Sequence, residues 1–357
     1  MPSSTARARA PDSRFSLDEI SPRDLATACW EVHPVVRGEL EDYLANVLAE
    51  GRGRLIGAFD AAGTLAGRGM VEIHPGYASR GFPCATFGWL DGASEGAVNA
   101  ILEAAAGWAA VQQVVRNGRP RRNALLRGPV SFPKELGGLG CQVEGHSEPR
   151  LIGVSTNRPE LGGWIEVAGY TPDAPYACVD VTDTPVWDSA PNEVEGFTLV
   201  TLSAAEWRDR IEETAELASH AFGTFLPDST AGRLEHCIDV TAEVSDPFYS
   251  WPAAVVAGGK LAAFIMALPN LWERWDGNEI FSLNVDTILV APQYRRFGLM
   301  SALHNKGVYD TGRHMGIRYY EGTAIWLANE NAVKTIFPHG RICRKHVVFQ
   351  KRLSKIN

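Results

Sequence analysis

The chain has 357 residues, 45% of them apolar and 21% charged, a composition that suits a globular protein of about two ordinary domains. Its 34 Lys and Arg against 42 Asp and Glu leave a formal charge of -8. That balance argues against nucleic acid or an anionic membrane as the main partner and suits a neutral or cationic small substrate.

In chain order, the polar, Arg-rich start "MPSSTARARAPDSR" has no apolar segment, so no signal peptide is expected and residues 1–20 are assigned to a disordered tail. "RLIGAFDAAGTLAGRGMVEIHP" (54–75) predicts a hairpin, and "CATFGWLDGASEGAVNAILEAAAGWAAV" (84–111) a strand running into a helix capped by Ser94. "GRPRRN" (118–123) is expected to be a solvated loop, or else a dock for an acidic carrier protein. "LLRGPVSF" is a further strand, and "LGGWIEVAGYTPDAPYACVDV" (161–181) a short helix and a strand. The Pro- and acid-rich stretch 183–196 is the expected linker between units at 21–182 and 197–357.

Past it, "GFTLVTL" (196–202) alternates as a strand, and Ser203 with Glu206 forms a capping-box pattern at the head of a helix. "AAVVAGGKLAAFIMALP" (253–269) predicts two strands about a Gly-Gly-Lys turn. Then come strand 281–290, helix 298–315, strand 316–326, short helix 329–337 and strand 344–353, giving β-α-β-β-β-α-β-α-β. The first half echoes the second, as expected of a duplicated α+β unit. The six cysteines (Cys29, Cys84, Cys141, Cys178, Cys237, Cys343) show no C-x-x-C spacing, which predicts reduced thiols in a cytoplasmic protein and no metal site. No apolar run approaches the length of a membrane span, so no membrane partner is expected.

The most informative stretch is "VDTILVAPQYRRFGLM" (285–300), an apolar strand that runs into two arginines and a glycine where a helix begins. A helix start exposes N–H groups with no intrahelical acceptor and carries partial positive charge, which favours phosphate. Gly298 has no Cβ to hold an anion off, and Arg295 and Arg296 supply charge-assisted hydrogen bonds. The alternative is an ordinary strand–turn–helix with surface arginines.

The pattern V-x-P-x-x-R-x-x-G, as Val290, Pro292, Arg295 and Gly298, resembles the signature of the GNAT acyltransferase superfamily. The closing segment, with Asn329, Ala332 and Gly340, is similar to the end of that family's domain. The resemblance implies an α+β fold of two GNAT-like domains in tandem, each a mixed, mostly antiparallel sheet flanked by helices. It implies an N-acyltransferase that moves an acyl group from acetyl- or another acyl-coenzyme A to an amine of a small molecule or peptide.

By that resemblance the loop Arg295, Arg296, Phe297, Gly298, Leu299 and Met300 holds the coenzyme's pyrophosphate, the backbone at Leu289 or Val290 contacts the thioester oxygen, and Asn329 bonds the pantetheine. Asn329 equally suits the cap of the helix that follows. Asp286, polar on an apolar strand, is the first candidate base and Glu321 the second. Asp286 otherwise faces solvent, and Glu321 otherwise holds a cationic acceptor. Trp272 and Trp275 either line the acceptor pocket or pack at a hairpin end. His304, two turns into the helix, is expected to pack or face solvent rather than react.

Two departures stand out. Met300 occupies a place usually held by Gly or Ala, and Ile336, beside Phe337, a place often held by a tyrosine acid. The first half resembles a degenerate GNAT domain: "FGWLDGASEG" has Asp91 and Glu95 where the second half has arginine, so no coenzyme is expected there. A longer acyl group delivered by an acyl carrier protein, and a non-catalytic acyl-coenzyme A sensor, are the rival expectations.

Overall fold

A computed structural model describes residues 15–116, 119–183, 193–222, 251–256 and 258–353. The linker residues 184–192, most of the N-terminal tail and Cys237 lie outside the described residues. In the first half, Ser16–Glu19 (β1), Gly53–Phe59 (β2), Leu65–Ser79 (β3) and Phe82–Gly92 (β4) pair antiparallel in sequence order. Strand β1 corrects the expected tail, because residues 16–19 are paired with β2. Gln113–Arg116 (β5) and Arg119–Arg122 (β6) form a separate hairpin, so the basic run expected as a loop is an exposed strand. Leu125–Gly128 (β7) runs parallel to β4. Val130–Ser131 (β8) pairs with Gly138–Leu139 (β9), and Cys141–Glu144 (β10) and Thr171–Asp180 (β11) follow.

The second half contributes Phe197–Leu202 (β12), Trp251–Val256 (β13), Leu261–Pro269 (β14), Ser282–Val290 (β15), Tyr319–Trp326 (β16) and Arg341–Arg352 (β17). The strands expected here all form. All but β5, β6, β8 and β9 join one 13-stranded sheet in the order β1-β2-β3-β4-β7-β17-β11-β16-β15-β14-β13-β12, with β10 also on β17. It is mostly antiparallel; β4–β7 and β15–β16 are the parallel pairs among the described strands.

The order contains an exchange. The last strand of the chain, β17, leaves its own half to pair with β7, and β11 of the first half lies between β17 and β16. Each half therefore donates a strand to the other.

The helices cover both faces. Pro22–Ala28 (α1) and Arg37–Ala49 (α2) place Leu25, Leu40, Leu44 and Val47 against Leu55, Met70 and Trp89. Glu95–Val111 (α3) buries Val98, Ile101 and Leu102 against Val71, Phe87 and Leu126, with Ser94 capping it as expected. Lys134–Gly137 (α4) and Leu161–Val167 (α5) lie in the loops between β8 and β11. In the second half Ala204–Asp209 (α6) opens on the Ser203–Glu206 capping box and leads into Ile211–Phe222 (α7). Leu271–Trp275 (α8) links β14 to β15. Leu299–Leu303 (α9) passes through a π-helical turn at His304–Tyr309 into Asp310–His314 (α10), and Glu330–Ile336 (α11) precedes β17.

Candidate functional site

Strands β15 and β16 are in register only from Ser282↔Tyr319 to Val285↔Gly322. Beyond that point β15 stays paired with β14 on its other side, while β16 follows β11. The two parallel strands therefore part, leaving residues 286–290 without a strand partner on that edge among the described residues. An edge of this kind offers N–H and C=O groups to an extended chain that carries amides of its own. Leu289 and Val290 lie on this stretch, Leu289 buried and Val290 half-buried.

At the open end, β15 turns through Pro292–Tyr294 into α9. Arg295, Arg296, Phe297 and Gly298 are all exposed, Leu299 is buried and Met300 half-buried against the second-half core. Gly298 has φ +78° at the helix N-cap, a conformation that favours glycine, and it brings no side chain to cap the helix. Phe297 stands against Phe197 and Tyr294, with ring centroids 5.5 and 6.4 Å away. Asn329 caps α11 by accepting from the Ala332 N–H at 3.3 Å, and it is exposed.

At the vertex of the opening sits Asp286, where a bulge shifts the register between β14 and β15. Its carboxylate is buried rather than facing solvent, and Lys134 Nζ from α4 donates to both oxygens at 2.6 Å. Thr287 Oγ1 donates to Oδ2 at 2.8 Å, and Thr323 Oγ1 lies 3.5 Å from Oδ1. Thr323 also donates to Asn284 Oδ1 at 2.6 Å, which places these side chains on one face.

Glu321, one strand over, is fully buried. Arg344 Nε donates to it at 2.8 Å and the Tyr319 hydroxyl at 2.7 Å. Burial and the neighbouring Glu321 carboxylate push the Tyr319 hydroxyl well above the usual tyrosine range. The structure thus brings both candidate carboxylates to one face of adjacent strands, each matched to a cation.

The first half reaches this face through residues 148–153. Arg150 O and Ile152 O accept from Asn270 and Asn284 side chains, at 3.0 and 2.6 Å, and Glu148 O and Pro149 O from Arg344. Lys134, Asn284 and Arg344 were not singled out from the sequence. They carry no motif of their own, and only the strand order places them together.

Trp272 and Trp275 lie on α8, where His33 from the first half approaches to 5.0 and 5.2 Å and Arg150 stacks 4.8 Å over Trp272. Both tryptophans thus line the junction of the halves. His304 is buried, and desolvation lowers it to about 4, so it is a neutral packing group at ordinary pH.

The first half has the same opening with different contents. Strands β4 and β7 pair only from Cys84↔Leu125 to Thr86↔Arg127. Past Gly128 and Pro129, Val130–Phe132 then fill the gap: the Trp89 N–H donates to Ser131 Oγ and its indole N–H to Phe132 O, both at 2.8 Å. A Cβ on Gly88 would strike the Val130 carbonyl. At the following turn Asp91 is bound by Arg158 at 2.7 Å and by the Trp30 indole at 3.0 Å. Burial opposes ionisation of Asp91, but these partners and Arg68 bring its pKa below the ordinary aspartate range.

The five described cysteines are free and buried. No group of three or more His, Cys, Asp or Glu side chains placed to hold a metal occurs among the described residues, and no described helix is long and apolar enough to cross a membrane.

No family model and no curated protein matches the sequence. Solved structures do match over nearly the whole chain. A tandem GNAT protein from the clavulanic acid biosynthesis pathway aligns with a TM-score of 0.57 at 14% identity, over 96% of this chain and 100% of that one. A GCN5-related N-acetyltransferase from Sphaerobacter thermophilus gives 0.54 at 16%, over 96% and 97%. A probable N-acyltransferase from Enterococcus faecalis V583 gives 0.59 at 12%, over 95% and 72%. With both half-sheets and their openings in place, the chain is a tandem GNAT-like protein in fold.

Proposed function

We propose that the second half is an N-acyltransferase that moves an acyl group from an acyl-coenzyme A to an amine of a small molecule or peptide. The observation that carries this reading is the parting of β15 from β16 directly ahead of an exposed Arg295–Arg296–Phe297–Gly298 turn. Two exposed arginines just ahead of a helix start support phosphate as the ligand of this turn. The donor's amide-bearing arm then runs back along the free edge of β15, past Leu289 and Val290, with Asn329 across the opening. Asp286 and Glu321 lie at the inner end, and Trp272 and Trp275 line the acceptor side. The filled opening and acidic turn of the first half suit a supporting role without coenzyme.

Catalysis of this kind rests on holding amine and thioester together and on stabilising the oxyanion. The test is calorimetric titration with acetyl-, octanoyl- and palmitoyl-coenzyme A. Arg295→Glu, at an exposed position, should leave the fold intact and weaken donor binding at least tenfold. Absence of binding to every thioester would end the coenzyme A reading and leave a carrier-protein donor as the alternative.

A second reading has its own support. Both candidate carboxylates are buried and ion-paired, which also suits an acyl-coenzyme A sensor. Donor binding without amine-dependent release of thiol from acetyl-coenzyme A would favour it.

A further inference from the structure

At the vertex of the second half's opening, Lys134 of the first half enters to pair with Asp286. Removing two charges from water is costly, and packing alone does not require it. The site is not a generic junction contact, because backbone carbonyls, asparagines and stacked rings already join the halves there. Of the two groups, the lysine side chain keeps 10% of its surface exposed and the aspartate 2%, so the ammonium is the more reachable. It stands at the inner end of the free edge. Val290 to Asp286 spans four residues, or about 13 Å of strand, a distance suited to the arm of a pantetheine thioester.

Resting on the acyl-coenzyme A reading, we propose that Lys134 is the proton donor to the departing thiolate and that Asp286 takes the proton from the acceptor amine. The neutral amine forms the C–N bond to the thioester carbon, and the carbonyl electron pair moves to oxygen. Collapse of the adduct breaks the C–S bond, with the pair leaving on sulfur. Lys134 Nζ gives its proton to sulfur, and the adduct's nitrogen gives one to Asp286. Asp286 then returns that proton to Lys134 across the 2.6 Å contact, so amide and thiol are the only products.

Three other titratable groups lie near the pair. Glu321 is held by Arg344 and Tyr319, His346 on β17 is bonded to Ser155 O at 3.0 Å, and Glu135 follows Lys134 on α4. On this reading the first half is not merely a support. It supplies half of the acid–base pair.

The test reads the sulfur directly and needs no acceptor. Coenzyme A is bound to the full chain, and the ultraviolet absorbance of its thiolate is followed against pH, with dethio-coenzyme A as the blank for the protein's own thiols. Lys134→Met removes the cation. Because it strands a buried carboxylate, Lys134→Met/Asp286→Asn is measured beside it. In the parent the bound thiol should titrate about one unit lower than in the double variant. Bound coenzyme with the same titration in parent and variants would make Lys134 a structural residue and overturn the proposal, leaving the donor-binding reading in place. No binding of coenzyme A by the parent would overturn both.

Discussion

Gly298 and Arg344 show how single residues set the site. At Gly298 nothing lies within 4 Å of an added Cβ, so a substitution there meets no steric block and its cost is purely that of φ +78°. Gly298→Ala should therefore lose only roughly 1 kcal/mol in denaturant unfolding. On the proposed donor site it should also weaken acetyl-coenzyme A binding by more than that loss implies, because the methyl group would stand in the path of the phosphate. Equal binding by both proteins would move the anion elsewhere. Arg344 has the opposite character: its side chain is 2% exposed and its partner Glu321 0%. Arg344→Met strands a buried carboxylate and should cost about 3–5 kcal/mol. A loss under 1 kcal/mol would mean that the Arg344–Glu321 pair contributes little to joining β16 and β17.

At the scale of elements, the helix that begins at Leu299 and the strand β17 each carry a buried histidine. Desolvation lowers His304 to about 4; desolvation, opposed by the bond to Ser155 O and aided by the Arg344 and His146 charges, brings His346 to about 4 as well. A carbonyl only accepts, so Nε2 of His346 carries the proton. In the unfolded chain both titrate near ~6.5. Between about 6.5 and 4 the unfolded state thus binds more protons, and stability falls as pH drops through that window. The urea midpoint should fall between pH 7 and pH 5, and less so in His304→Leu/His346→Gln. An identical fall in parent and variant would show that other groups govern acid sensitivity.

The sequence patterns at this scale were legible where periodicity was strong. The hairpins, the Ser94 and Ser203 caps and the strand into α9 all read directly. Helix α2 was missed although Leu40, Leu44 and Val47 recur at helical spacing. The β5–β6 hairpin was missed because Arg119–Arg122 shows no alternation between buried and exposed positions.

For the whole molecule, the exchange of β11 and β17 makes the halves interdependent. Without the second half, β7 loses its β17 neighbour and β11 loses partners on both sides; without the first, β16 and β17 lose β11. Long unpaired edges invite aggregation. Residues 1–188 and 189–357 expressed separately should be insoluble or partly folded, and co-expressed they should purify as a one-to-one complex. Two soluble, cooperatively unfolding halves would show that the exchange contributes little.

The sequence by itself determined the order of strands and helices along the second half and the strand-to-helix turn with Arg295, Arg296 and Gly298. It also pointed to the contrast with the acidic turn of the first half, because all three depend on local periodicity and on residues near in the chain. Only the tertiary structure decided that the halves exchange strands, that Val130–Phe132 fill the first opening, and that Asp286 faces Lys134 while Glu321 faces Arg344. Those pairings join residues 152 and 23 positions apart. A charge on a strand carries no mark of its partner until the sheet order brings the two together.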